Sequence, residues 1–438
     1  MTVKKIRAVL AVLLLLACLP ITVFADETQP VTPEFSHAEA AYLYNIENDQ
    51  VLFTANELVR VSPASTVKLM TAIVAFEHFK DALDTPITVT QEMLNESSGN
   101  RIGFYDGEIV TVGQMLNCML INSANDAAII LAHATAGSVS SFVQLMNDKA
   151  IELGAYHTNY TNPTGMHDDA MTTTAADTAK IAVCAYNIPG FIDITSTVKY
   201  VMETTNRCDF RNIYNRNCMV SKYYSTAYFD DRVVGLNAGA TTQGGYAICA
   251  VATDEASGLT YLAVVLGAEG EDDTFYNYIN AENLIDWAFS SYGYIEVLSN
   301  RKMVTEIPVA LSSTLDYVTL VPQSDIVVYL PTSVDLENDI RYSIRTEADS
   351  IDAPVEAGEA VGTITVYRGE QILGSTSLIT TTSIARSEFL YFLQRVKAFT
   401  GSRFFRGTLI AAVLISAAYI FIKAQQREKK LRHMSWKA

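Results

Sequence analysis

Two long apolar runs, one at each end of the chain, limit how this sequence can fold. Residues 1–25 begin with a basic stretch, continue as an apolar run and end in Val-Phe-Ala before the acidic Asp26. This order is typical of a secretory signal peptide that is cleaved after Ala25. We therefore expect the rest of the chain to fold after export, outside the cytoplasm.

The second apolar run lies close to the carboxyl terminus. Residues 404–423 are mostly apolar, and a basic tail follows at residues 424–438. A helix rises about 1.5 Å per residue, so the uncharged stretch within this run, residues 407–422, is slightly short for the ~30 Å of a bilayer's hydrocarbon core. Snorkelling of Arg406 and Lys423 makes up the difference, and the basic flank is typical of the cytoplasmic side. The pattern predicts a single-pass protein of the cell membrane whose main part is extracytoplasmic.

The charge and the cysteine and histidine patterns exclude several kinds of site. The net charge is −17, and both ends are basic, so the exported part is more acidic still and nucleic acid is not an expected partner. Apart from Cys18 in the leader, the cysteines form no C-x-x-C motif. Cys208 and Cys218 are the first choice if a disulfide forms, but buried free thiols are favoured. The six histidines form no metal-binding cluster, so we predict no metal and no other cofactor.

The exported region changes character near residue 292. Up to that point strand-like and helix-like stretches alternate, with a hairpin about Asn48-Asp49 and helical periodicity on both sides of a polar break at Asn122–Asp126. Short β-rich runs separated by turns follow, as in a small β-sandwich. The predicted segments are a mixed domain at 26–292, a β-sandwich-like domain at 293–385 and an amphipathic linker helix at 386–400.

The tetrapeptide Ser65-Thr66-Val67-Lys68 is the first motif that predicts chemistry. We expect it one turn into a helix that has Ser62 as its N-cap and Pro63 at its first position. A spacing of three residues places Ser65 and Lys68 on one helix face, where a neutral amine can take the hydroxyl proton during nucleophilic attack. Burial or nearby positive charge would lower the pKa of Lys68 enough for this role.

Two further motifs help to decide which serine is reactive. The same tetrapeptide recurs at Ser196–Lys199, where β-branched neighbours and the lack of a cap predict a strand and no chemistry. Ser123-Ala124-Asn125 lies at the predicted helix break, where a hydroxyl can relay a proton and an amide can hold a peptide group. Ser98-Gly99-Asn100 has the same S-x-N form, but its neighbours predict a turn.

The sequence around these motifs resembles the D-alanyl-D-alanine carboxypeptidases, the low-molecular-mass serine penicillin-binding proteins. The resemblance covers about residues 39–292 and depends on SPASTVKLMTA, NDAA, FVQLMNDKAIELG and NPTGMHD. S-x-x-K and S-x-N also occur in β-lactamases, but the last three stretches favour the carboxypeptidases. The resemblance implies a mixed α/β (α+β) fold. A β-lactamase/transpeptidase-like domain would have an antiparallel sheet flanked by helices, followed by a small β-rich domain and a C-terminal membrane helix.

The resemblance also implies a role for each catalytic motif. Ser65 would be the nucleophile that forms an acyl ester, and Lys68 would be its general base. Ser123 would relay the proton, and Asn125 would hold the substrate. The backbone N–H of Ala240, together with that of Ser65, would stabilise an oxyanion, because such a donor does not depend on its side chain.

The third motif of that family, Lys-Thr-Gly, falls on Asn237-Ala238-Gly239 in this sequence. The lysine's positive charge and the threonine's hydrogen bond to a terminal carboxylate are therefore missing. The turn that is often basic in the family reads Glu269 to Asp273, which would repel a carboxylate. Thr241, Thr242 or Arg232 could compensate. The candidate substrate-binding residues are Asn125, Asn237, Gly239, Ala240 and Thr241.

Three functions of different classes follow from these motifs. The leading hypothesis is a membrane-anchored serine D-alanyl-D-alanine carboxypeptidase that trims peptidoglycan stem peptides through an acyl-enzyme on Ser65, with β-lactams as inhibitors and the lipid bilayer as a partner. A second hypothesis is a catalytically impaired or inactive homologue that binds peptidoglycan or regulates its synthesis. A third is a hydrolase of an uncharged ester or amide.

Overall fold

The computed structural model describes residues 32–434. The predicted signal peptide, residues 1–25, lies outside the described residues, as do residues 435–438 of the predicted basic tail. The chain divides into two compact units. The first runs to Gly293 and includes Pro331–Ser333, and the second contains Tyr294–Leu330 and the residues from Val334 onward.

The first unit is built on a five-stranded antiparallel sheet with the strand order β2-β1-β9-β8-β7. Its strands and those of three short ribbons are β1 (Ala40–Asn45), β2 (Gln50–Ala55), β3 (Pro86–Thr88), β4 (Ile109–Thr111), β5 (Lys199–Met202), β6 (Arg211–Tyr214), β7 (Val233–Thr241), β8 (Gly245–Asp254), β9 (Leu259–Ala268), β10 (Gly270–Glu271) and β11 (Thr274–Phe275). The hairpin predicted about Asn48-Asp49 is confirmed as β1 and β2. The ribbons pair β3 with β4, β5 with β6 and β10 with β11.

Helices pack around this sheet. They are α1 (Val67–Phe79), α2 (Gln91–Glu96), α3 (Val112–Asn122), α4 (Asn125–Ala136), α5 (Val139–Glu152), α6 (Ala175–Tyr186), α7 (Phe191–Thr195) and α8 (Tyr276–Ser291). Several of them follow an N-cap residue whose side chain accepts a hydrogen bond from a backbone N–H of the first turn. Thr111, for example, forms a capping box with Gln114 at the start of α3. Helix α5 begins at the Ser138 cap, whose hydroxyl accepts from the Ser141 N–H.

Helix α1 lies at the centre of the first unit. Every residue from Val67 to Phe76 is buried, and the helix packs against α3, α4, α5 and α6. Such a helix is apolar on all sides because no face meets water. Helices α6 and α8 both pack against β9. The predicted antiparallel sheet with flanking helices is confirmed, and Lys68 of the S-x-x-K motif lies in the first turn of its central helix.

The second unit is rich in β-structure, as predicted. Its strands are β12 (Tyr292–Leu298), β13 (Thr305–Ala310), β14 (Tyr317–Pro322), β15 (Ile326–Pro331), β16 (Ile340–Thr346), β17 (Ile351–Asp352), β18 (Ala360–Arg368) and β19 (Gln371–Thr380). Six of them form one sheet in the order β16-β18-β19-β14-β13-β17, and β12 pairs with β15. Leu320, Ile364, Val366 and Leu378 are among the side chains that form its core.

Two helices end the described chain, α9 (Glu388–Gly401) and α10 (Arg403–Met434). The stretch Arg403–Lys429 is long and apolar enough to cross a membrane, and its side chains are not buried by the protein. It continues past the predicted apolar limit at residue 423, so most of the predicted basic tail is helical. Helices α4 and α5 are long and apolar enough to cross a membrane only if they are counted as one helix. They are bent by 85° relative to each other, and their side chains contribute to the core of the first unit.

Candidate active site

Ser65 lies in a 3-10 turn, Ala64–Thr66, that precedes α1. The predicted start of the helix is therefore wrong: Ser62 is not the N-cap, Pro63 precedes the 3-10 turn, and α1 begins only at Val67. The physical reason is Ala64, whose φ of 46° is not helical. Non-glycine residues with positive φ are uncommon and concentrate at functional sites. This turn places the Ser65 side chain at a cavity surface.

The loop around Thr164 holds this turn and the first turn of α1. The Nζ of Lys68 donates to the Thr164 carbonyl over 2.5 Å. The Oδ1 of Asn162 accepts from the N–H groups of Thr164 and Gly165, which fixes the loop. Gly165 has a φ of 81°, and a Cβ there would overlap the Ala64 carbonyl. The sequence NPTG therefore has a positioning role that its use as a family signature did not reveal.

Lys68 is almost completely enclosed, with 1% of its surface exposed. Burial, followed by the positive charge of Arg216, lowers the pKa of Lys68 to about 7. This lowering favours the neutral amine, which is the state that a general base needs.

The predicted break between two helices is confirmed. Ser123 ends α3 in the left-handed conformation, with φ 57° and ψ 38°, and α4 begins at Asn125. The backbone N–H of Asn125 donates to the Asn100 carbonyl over 2.8 Å, and its Nδ2 donates to the Ser98 carbonyl over 2.7 Å. The Asn125 Oδ1 is thus left as an acceptor for a substrate N–H.

Ser98 and Asn100 lie in a loop that bends at Gly99 and Asn100, and this loop also organises the site. The Nδ2 of Asn100 donates to the Ser123 carbonyl over 3.1 Å and to the Asn122 carbonyl over 2.6 Å. Apart from the S-x-N form, no local pattern around Asn100 indicates this role.

Strand β7 passes directly beside Ser65. A Cβ at Gly239 would lie 2.5 Å from both the Cβ and the Oγ of Ser65, so only glycine allows this approach. Ala240 and Thr241 line the same cavity as Ser65. Asn237 lies in neither cavity: it is 2% exposed, and among the described residues its Oδ1 has no hydrogen-bond partner.

We expect Gly239→Ala to lower the rate of Ser65 acylation by about 100-fold, because a displacement of about 1 Å in an active site has an effect of that size. The measurement is the rate of labelling by a fluorescent penicillin. Gly293→Ala is the control, since a Cβ at Gly293 has no atom within 4 Å. Equal labelling of both variants would contradict this placement of β7.

Two adjoining cavities meet at Ser65. The larger has a volume of about 950 Å³ and the smaller about 500 Å³. The residues that line both are Ser65, Asn100, Ser123, Ala240 and Tyr246. Those that line only the larger include Asn125, Thr241, Glu39, Glu269 and Glu271. Those that line only the smaller include Arg216, Ala238 and Gly239.

Arg216 is a candidate site residue that the sequence patterns did not indicate, and it lines the smaller cavity. Its Nη1 donates to the Asn100 Oδ1 over 2.6 Å, and its guanidinium lies 5.3 Å from the centre of the Tyr224 ring. Arg232, which we considered as a compensating cation, instead pairs with Asp230 and Asp286 and lines neither cavity.

The second copy of the tetrapeptide has a different structure. Ser196 follows α7 as its C-cap, and its N–H donates to the Ile192 carbonyl over 2.8 Å. The predicted strand is therefore wrong for Ser196 to Val198, because the last turn of α7 extends to that point, and strand β5 begins only at the exposed Lys199. Neither Ser196 nor Lys199 lines the cavities described above.

The cysteines form no disulfide among the described residues, and one of them, Cys218, lines the smaller cavity. Cys208 and Cys218 are free, as are the buried Cys118 and Cys249 and the partly exposed Cys184. Within residues 32–434, no group of three or more histidine, cysteine, aspartate or glutamate side chains is arranged to hold a metal ion.

Comparison with protein families assigns both units. Residues 26–270 match the family model of D-alanyl-D-alanine carboxypeptidases. Residues 292–386 match that of the C-terminal domain of penicillin-binding protein 5.

Individual proteins agree with these family matches. The chain is 27% identical to the D-alanyl-D-alanine carboxypeptidase DacF of Bacillus subtilis over 90% of its own length and 97% of that protein's. It is 24% identical to DacA of Escherichia coli over 82% of its own length and 86% of that protein's. Among solved structures, penicillin binding protein 5 from Haemophilus influenzae has a similar fold, with a TM-score of 0.57 and 22% identity over 81% of this chain and all of that one.

Proposed function

The chain belongs to the D-alanyl-D-alanine carboxypeptidase family, and from this premise we propose that it removes the terminal D-alanine from peptidoglycan stem peptides through an acyl-enzyme on Ser65. We place this activity on the outer side of the cell membrane, with residues 404–423 within the membrane-crossing part of α10. We assign residues 26–292 to the catalytic domain and 293–385 to a second domain.

The reaction begins with proton transfer from the Ser65 hydroxyl to the neutral Lys68 amine. The Ser65 oxygen attacks the carbonyl carbon of the penultimate D-alanine. The N–H groups of Ser65 and Ala240 stabilise the oxyanion that forms. When the C–N bond breaks, the leaving nitrogen takes a proton through Ser123, and D-alanine departs. Water then attacks the ester, which releases the shortened peptide and restores the Ser65 hydroxyl.

The observation that carries this proposal is the state of Lys68. Its amine is buried one turn from Ser65, and its pKa is lowered to about 7 by burial and by Arg216. Burial disfavours the protonated form of this lysine. Among the described residues, no carboxylate forms an ion pair with it to offset this cost. A purely structural role would be served by an uncharged side chain of the same size.

Arg216 takes over the part that the lysine of Lys-Thr-Gly plays elsewhere in the family. It lines the smaller cavity together with Ala238 and Gly239 and lowers the pKa of Lys68 from there. A guanidinium is well suited to bind a carboxylate with two hydrogen bonds. We therefore assign the smaller cavity to the terminal D-alanine and its carboxylate.

The direct test of this function is release of D-alanine from a stem pentapeptide, measured beside the same peptide with an amidated carboxyl terminus. We expect release from the free acid and slower cleavage of the amide. Faster cleavage of the amide would favour the hydrolase of uncharged substrates. Binding of the pentapeptide without cleavage would favour the inactive homologue.

We expect Ala238→Thr to increase D-alanine release by up to about tenfold. Ala238 lines the smaller cavity, so the threonine hydroxyl restores a donor for the carboxylate, and a tenfold gain requires only about 1.4 kcal/mol. Ala238→Val is the matched control, since valine has the same shape but no hydroxyl. An equal change in both variants would show that volume, not hydrogen bonding, is responsible.

A further inference from the structure

The two cavities that meet at Ser65 carry opposite charges. The smaller contains Arg216, and its one acidic lining residue is Asp273. The larger is lined by Glu39, Glu269 and Glu271, and of the described residues that line it none is lysine or arginine. A substrate that extends across Ser65 therefore meets positive charge on one side and negative charge on the other.

The proposed reaction fixes which end of the substrate enters which cavity. The leaving D-alanine carries the carboxylate and belongs beside Arg216. The acyl part of the peptide must then pass Asn125, which lines only the larger cavity and offers its Oδ1 to a peptide N–H. The residue that precedes D-Ala-D-Ala consequently enters the acidic cavity.

Two of the three acidic side chains are available to a ligand. Glu269 pairs with His37, with 2.7 Å between its Oε2 and the Nδ1 of His37. The carboxylates of Glu39 and Glu271 form no ion pair with any described residue. Glu39 is also held in place, because it packs against Gly267, where a Cβ would lie 2.7 Å from the Glu39 Cγ.

We propose that Glu39 and Glu271 select substrates in which the residue before D-Ala-D-Ala carries a free ammonium group. The inference rests on the proposed function and names its substrate class more narrowly. An ammonium group on the side chain at that position enters a cavity with two carboxylates that no described cation pairs with. Acylation of that amine, as in a cross-linked peptide, removes the charge, so the protein acts preferentially on stem peptides that are not cross-linked.

The experiment compares L-Ala-γ-D-Glu-L-Lys-D-Ala-D-Ala with the same peptide acetylated on its lysine amine. We expect the free amine to be preferred about fivefold in kcat/KM, mainly through KM. The double variant Glu39→Gln, Glu271→Gln should lower this preference to about one, because neither peptide then meets a charged partner in the larger cavity. Asp272→Asn is the matched control: it removes one charge from the same acidic turn, but Asp272 lines neither cavity. This control should keep the preference.

A binding measurement separates this inference from the proposed function. Calorimetry with the full chain carrying Ser65→Ala, with and without the two glutamine changes, gives the affinity for each peptide. A preference for the free amine that the glutamines abolish supports the inference even if the wild-type chain releases no D-alanine, a result that would overturn the proposed function alone. Equal affinity for the two peptides, or a preference that survives both glutamines, overturns the inference.

Discussion

Lys68→Met is expected to lower the rate of Ser65 acylation by about 10²–10⁴-fold, which is the usual contribution of a positioned general base. Methionine fills a similar volume but cannot take the hydroxyl proton. The measurement is the second-order rate constant of labelling by a β-lactam, followed together with D-alanine release. Lys199→Met, in the second copy of the same tetrapeptide, should leave both rates unchanged.

The stability of this variant separates a chemical effect from unfolding. The pKa of Lys68 falls from 10.5 to about 7 on folding, so between these pH values the unfolded chain holds a proton that the folded chain has lost. The free energy of unfolding of the wild type therefore rises with pH across this window. Lys68→Met has no amine that must lose its proton on folding. We therefore expect its Tm at pH 7 to equal or exceed that of the wild type. Lost activity together with a much lower Tm would indicate unfolding and would contradict the role of Lys68 as a general base.

Arg216→Met is expected to lower D-alanine release at pH 7 by about 10²–10³-fold, the usual effect of removing one preorganised polar contact. Two causes act together. The carboxylate loses its cationic partner, and the pKa of Lys68 rises because only burial still lowers it. In the wild type, kcat/KM should increase as the pH rises through about 7, and in the variant this rise should occur at a higher pH.

Two controls distinguish the causes of this effect. Arg216→Lys keeps the charge and loses the planar guanidinium, so its pH profile should remain near that of the wild type while KM increases. Arg207→Gln removes a cation that lines neither cavity and should have no effect. An unshifted pH profile in Arg216→Met would show that Arg216 does not influence Lys68.

Local sequence patterns were sufficient to predict several elements, although not the start of the helix that carries Lys68 or the conformation at Ser196. The hairpin β1–β2, the helix break at Ser123 and the change to β-rich structure near residue 292 all depend on periodicity and turn residues within a few positions of each other. The antiparallel sheet with flanking helices was implied by the family resemblance, and the structure confirms it.

Features that depend on distant contacts could not be predicted. Arg216 reaches Asn100 across 116 positions of sequence, and Lys68 reaches Thr164 across 96. Nothing next to Arg216 in the sequence distinguishes it from Arg232, which is paired elsewhere. The start of α1 was predicted too early for a related reason. Ala64 has a positive φ where its carbonyl packs against Gly165, and no local propensity indicates that contact.

Mapping the site of a β-lactam adduct shows which serine is the nucleophile. The full chain is treated with benzylpenicillin, digested and analysed by mass spectrometry, so that each STVK copy is found on its own peptide. We expect an adduct on the peptide that contains Ser65, and we expect this adduct to be lost in Ser65→Ala but not in Ser196→Ala. An adduct on Ser196, or no adduct on Ser65 in a folded protein, would contradict the assignment of Ser65 as the nucleophile.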